Sequence, residues 1–220
     1  MVKNSKYLSF VYSERDNNYI EELIESLDFE IEGVLKFFNI EKINEKIVIN
    51  LFDDVEKLWN LHDKLYKTRE RYGEVPNWIC GFSVNNNVYT VCLEGLKKTY
   101  NKQDSDINTL ENLILHETIH SIHSFVNKDT LNITWLSEGL ATTLSHQYDN
   151  VEKNFDATIS ELEQGNCYYY NYNSFFSYLL EKYGRDYILN LINNYNICNE
   201  ELQKKYDEVK KFYGDKTKTK

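Results

Sequence analysis

The sequence predicts an α+β fold, a small mixed N-terminal β-sheet with helices packed against a mainly helical C-terminal half. Three observations carry this prediction. Short runs rich in β-branched and aromatic residues stand only in the first half of the chain. From Asp106 onward, apolar residues recur at spacings of three and four, the period of amphipathic helices. Strands with helices first, and helices alone afterwards, is the segregated order of an α+β layout.

Taken in order, "KYLSFVYS" (Lys6 to Ser13) alternates and reads as a strand. The series from Tyr19 through Leu23, Leu27 and Ile31 to Phe38 gives a long amphipathic helix, and "KIVINLF" (Lys46 to Phe52) a second strand. A helix capped by Asp53 is expected to run towards Tyr72. Pro76 opens the loop "EVPNWICGF", and a hairpin arm follows whose strand, Val88 to Leu93, reads as a sheet edge able to pair with an extended peptide. The helical half then reads as Ile107 to Val126, Trp135 to His146, Phe155 to Leu162, Ser174 to Tyr183, Arg185 to Asn194 and Glu200 to Phe212.

No stretch rich in proline, glycine or serine divides the 220 residues, which predicts a single domain over 1–220. Its sheet-containing half covers about 1–105, its helical half about 106–213, and "GDKTKTK" (214–220) is a polar tail. Acids outnumber bases 35 to 25, a net charge of −10, which opposes binding to a phosphate backbone, so no nucleic-acid partner is expected. No apolar segment is long enough for a membrane span, and the first residues are too polar for a signal peptide, so the expected location is the cytoplasm. Cys80, Cys92, Cys167 and Cys198 are scattered and include no C-x-x-C pair, so neither a zinc ribbon nor a redox motif is formed.

The chemistry concentrates in "LILHETIHSIHSF", Leu113 to Phe125. His116 and His120 are four apart, which on a helix places them about 40° apart around the axis and one turn apart along it, facing a common point. Two nitrogen ligands of a zinc ion require that arrangement. Glu117 sits about 100° round, within reach of a water on the metal without being consumed as a ligand. A catalytic zinc needs a third protein ligand and one open position. Glu138, in "TWLSEGLATTLSH", supplies it: the sequence places it in the first turn of a helix capped by Thr134, with Gly139 and Ala141 small enough to let that helix approach the histidine helix.

H-E-x-x-H followed by W-L-S-E-G-L-A resembles the gluzincin zinc metallopeptidases, specifically the small peptidase-MA-like domains related to the catalytic cores of thermolysin and aminopeptidase N. The metzincin pattern fails, since it needs glycine where His123 stands and histidine where Val126 stands. "PNWICGF" and "SFFSYLLEKYG" are similar to the family's segments before its substrate-binding strand and after its ligand glutamate, so the likeness spans roughly Tyr7 to Leu191. The resemblance implies a zincin-like fold, one Zn²⁺ held by His116, His120 and Glu138, and Glu117 as general base and acid. It implies a peptide or protein substrate.

It also implies a tyrosine that steadies the oxyanion ahead of a helix. Aligning Tyr178, Leu179 and Gly184 to the family pattern places Tyr169 there, with Tyr170 and Tyr172 one to three residues away in "CYYYNYNSF". The family's G-x-M-E-N anchor for a free amino terminus is missing, and Glu94-Gly95 is no substitute, which favours an endopeptidase over an aminopeptidase. His123, one turn beyond His120, is expected to pack rather than coordinate, His62 to lie on the surface, and His146 to sit on the ligand helix pointing elsewhere. A different class fits the same residues: a non-catalytic peptidase-like zinc-binding module that holds a protein or peptide partner.

Overall fold

A computed structural model describes residues 1–99 and 103–217. Its contacts divide the chain into two compact units, Met1–Ser121 and Ile122–Lys220. The layout is α+β: among the described residues, every strand stands in the N-terminal half and the C-terminal half holds helices alone.

The first unit holds β1 (Val2–Asn4), β2 (Leu8–Val11), α1 (Ile20–Phe37), β3 (Ile47–Phe52), α2 (Val55–Tyr66), α3 (Thr68–Tyr72), β4 (Gly81–Val84), β5 (Asn87–Val91) and α4 (Leu93–Leu96). The last helix to begin in it, α5 (Ile107–Val126), runs on into the second unit. The strands are ordered β1-β2-β3-β5-β4. The two inner pairs are parallel, which requires a long crossover, supplied by α1 between β2 and β3 and by α2 and α3 between β3 and β5. The outer pairs are antiparallel. In β3 the buried residues alternate as Ile47, Ile49 and Leu51, and the register sets Phe10, Ile49 and Val88 in one row on the same face. Burying each such side chain stabilises by roughly 1.5–3 kcal/mol. Helix α1 buries Leu23, Leu27, Ile31 and Val34, the stripe its periodicity predicts.

Three local expectations are corrected. The helix after β3 is capped by Asp54, whose side chain accepts from the Glu56 amide, while Asp53 pairs with Arg15 and Lys57. It is also two helices, because Lys67 is left-handed (φ 53°) and ends the first. The strand expected at the sheet edge, β5, is an inner strand: parallel β3 takes one side and its hairpin partner β4 the other. The edge on that side is β4, whose first two residues, Gly81 and Phe82, the sequence reads as loop.

The second unit continues with α6 (Thr134–Leu144), α7 (Ile159–Gln164), α8 (Tyr169–Tyr183), α9 (Arg185–Asn193) and α10 (Asn199–Thr217). Trp135 of α6 meets Phe175 of α8 edge to face at 5.3 Å between ring centres. Gly139 permits the close approach: a Cβ there would lie 2.7 Å from the Phe176 Cβ and 3.0 Å from the Tyr172 carbonyl oxygen. The small residue therefore serves packing against α8. Thr134 is the first helical residue and not the cap, which is Ile133, so Glu138 stands in the second turn. Helix α7 starts at Ile159 behind a Thr158–Glu161 capping box, and Phe155 packs from the preceding loop against Phe175. Helix α10 continues into the polar tail as far as Thr217, and residues 218–220 lie outside the described residues. Among the described residues, no helix is long and apolar enough to cross a membrane, and no disulfide forms.

Candidate metal centre

Helix α5 carries the histidine pair. The Nε2 atoms of His116 and His120 lie 3.1 Å apart, with the rings at 82° to each other. Two imidazole nitrogens facing each other at that distance repel through their lone pairs unless a proton or a cation stands between them. A tetrahedral zinc with bonds of about 2.0–2.1 Å sets its ligand atoms roughly 3.3 Å apart, so the pair has the spacing of one edge of such a site. His116, His120 and Glu138 each offer one ligand atom, and these atoms all lie within 4.8 Å of one another. The three form a group that could hold a metal ion. Two imidazoles and one carboxylate are a donor set that suits zinc, and three protein donors leave a fourth position for a substrate or water.

Glu117, adjacent to His116, is buried. Its stem lies against the sheet: a Cβ on Gly81 of β4 would be 3.3 Å from the Glu117 Cγ and 3.4 Å from the Thr90 Oγ1. The phenol of Tyr66, the last residue of α2, has its pKa raised first by burial and then by the negative charge of Glu117. Glu117, Gly81 and Tyr66 thus share one neighbourhood at the outer strand.

The remaining histidines separate by their contacts. His123 is fully buried, and its Nε2 lies 2.8 Å from the Thr130 Oγ1. The same hydroxyl lies 3.0 Å from the Asn127 carbonyl oxygen and 3.3 Å from that of Ile192, so His123 is tied into a buried polar cluster away from the metal-ligand group. His62 is half-buried, its ring against Tyr66 and Phe82 and its Nδ1 2.8 Å from the Thr68 Oγ1, so it is not the plain surface residue the sequence suggests. Burial lowers its pKa. His146 follows α6 instead of lying on it, in a left-handed conformation (φ 60°), and pairs with Asp149 at 2.7 Å.

The tyrosine run opens α8. Tyr169 is the first residue of that helix, partly exposed, and its ring meets Tyr172 edge to face. Tyr170 gives its hydroxyl to the Asp156 carboxylate at 2.7 Å. Tyr172 is buried, and its pKa is raised by burial, by the neighbouring Cys167 and, more weakly, by the charge of Glu138. Tyr148, which no spacing in the sequence singles out, has its pKa raised by burial and by the charge of Glu138. Tyr66 and Tyr148 are the two phenols that sequence reading missed. Tyrosine is abundant in this chain, 18 of 220 residues, and neither stands in a motif.

Comparison with known proteins finds no matching family model, no matching curated protein and no matching solved structure, so the chemistry rests on these residues themselves.

Proposed function

We propose that the protein is a zinc-dependent metallopeptidase of gluzincin type, an endopeptidase that hydrolyses peptide bonds, with His116, His120 and Glu138 as zinc ligands and Glu117 as general base and acid. The observation that carries this reading is the convergence of two imidazole nitrogens 3.1 Å apart with a carboxylate oxygen, every ligand atom within 4.8 Å of the others. Glu117, next in sequence to His116, supplies the carboxylate that the proton transfers require.

Zinc, when bound, supplies a Lewis acid that acidifies water and polarises a carbonyl. Glu117 takes the proton of the attacking water at a carboxylate oxygen and returns it to the departing amine. A tyrosine hydroxyl steadies the oxyanion. Tyr169 is the resemblance-based candidate, with Tyr170 and Tyr172 beside it in the same run. The substrate lies as an extended peptide along β4. In the β4–β5 ladder the Val91 amide donates to the Cys80 carbonyl, so the alternation turns the N–H and C=O groups of Gly81 and Ser83 to the outer side. Those groups can pair with a peptide by strand addition, beside Glu117.

Glu117→Gln tests the mechanism. Zinc content by metal analysis should stay at the wild-type level, and kcat/KM on a mixed peptide library should fall by roughly 10²–10⁴-fold. Turnover that survives the substitution would exclude Glu117 as the base. A zinc-loaded wild type that binds peptides and never cleaves them would point to the non-catalytic binding module.

A further inference from the structure

We infer that Tyr66 is a displaceable latch on the substrate edge of β4, its hydroxyl holding the Ser83 carbonyl until an extended peptide takes that carbonyl with its own backbone N–H. The inference rests on the metallopeptidase reading and gives its substrate edge a second, competing occupant.

The register leaves the outer side of β4 unpaired by any strand among the described residues, and Ser83 is one of the two residues whose backbone groups face that way. Tyr66 reaches this edge from the end of α2 and donates its hydroxyl to the Ser83 carbonyl at 3.4 Å. Good hydroxyl hydrogen bonds lie near ~2.7–2.8 Å, so this contact is weak and exchanges at little cost for a peptide N–H. The ring itself is anchored, 4.7 Å from His62 and 6.0 Å from Phe82 between centres, and it is 39% exposed. A ring fixed at its base and partly open to water can withdraw its hydroxyl from the edge while α2 stays in place. The position is also specific to the site: the Glu117 stem lies against Gly81, two residues along the same edge, so a peptide that displaces the latch is paired with the strand the proposed base touches.

Tyr66→Phe keeps the ring and removes the hydroxyl. On a cleaved peptide it should lower KM about two- to threefold, the size of one weak neutral hydrogen bond, and leave kcat unchanged. An N-methyl scan of the same peptide supplies a readout that loose packing would not mimic. At the one position whose N–H reaches Ser83, methylation should raise KM and abolish the difference between wild type and Tyr66→Phe. An unchanged or raised KM in Tyr66→Phe, a fall in kcat, or a difference that survives methylation at every position overturns the latch and leaves the metallopeptidase reading standing. Failure of the zinc-loaded wild type to cleave any peptide overturns both.

Discussion

His116 and His120 share α5, and their spacing along one helix is enough to bring two ring nitrogens to 3.1 Å. Glu138 stands seventeen intervening residues further on, in α6, a helix whose place is fixed by packing on α8 through Gly139 and Trp135. The pair is a product of helix geometry, whereas the carboxylate is a product of tertiary packing. The proposed centre is therefore more vulnerable on its carboxylate side. Changes remote from α5 should leave the histidines facing each other, and changes at the α6–α8 contact should move Glu138.

The largest expected effects fall on the proposed ligands. His116→Ala, His120→Ala and Glu138→Ala should each cost more zinc affinity than the roughly 10–100-fold lost with an outer partner, and peptide cleavage should go with it. His123→Ala is the matched control on the same helix. It should keep its zinc and instead lose about 1–3 kcal/mol of stability in a urea melt, because removing the imidazole takes away the hydrogen-bond partner of the buried Thr130 hydroxyl. Zinc lost in His123→Ala and retained in Glu138→Ala would reverse the ligand assignment.

Next come substitutions that touch no ligand. Gly139→Ala sets a methyl 2.7 Å from the Phe176 Cβ and 3.0 Å from a backbone oxygen, and backbone does not yield cheaply. We expect a loss of about 1–3 kcal/mol together with weaker zinc binding as Glu138 is displaced. Gly33→Ala, in α1 with open space around its Cβ, should raise stability by about 0.4–1 kcal/mol and leave zinc affinity untouched. Equal zinc affinity in the two variants would show that α6 packing does not govern the carboxylate.

The smallest effect is a pH dependence. Burial lowers the pKa of His62, so the folded state favours its neutral ring. Its contribution to stability is complete above the ordinary histidine value of ~6.5 and is lost as pH falls below that value towards the lowered one. His62→Asn should therefore flatten the acid side of the Tm profile, and a profile that keeps its wild-type slope would assign that titration elsewhere.

Much of this is legible in the sequence. The helical series of α1, the alternation of β3 and the H-E-x-x-H spacing are short-range patterns, and each is set by the 3.6- or 2-residue period of the backbone itself. Caps were less legible: Asp53 and Asp54 are equivalent as letters, and only the turn geometry selects Asp54 to meet the Glu56 amide. The edge strand is not legible, because β5 is the more apolar arm of its hairpin, while edge position depends on which arm β3 claims.

By itself the sequence determined the α+β order, the pairing of His116 with His120 and the place of Glu117 beside them, since each follows from residue types at separations of one to four. Tertiary structure decided that Gly139 serves α8, that β4 and not β5 is the outer strand, that His123 is engaged by Thr130, and that Tyr66 reaches Ser83. Those contacts join residues from 7 to 39 positions apart, where no backbone period operates and only the packing of one element on another brings the groups together.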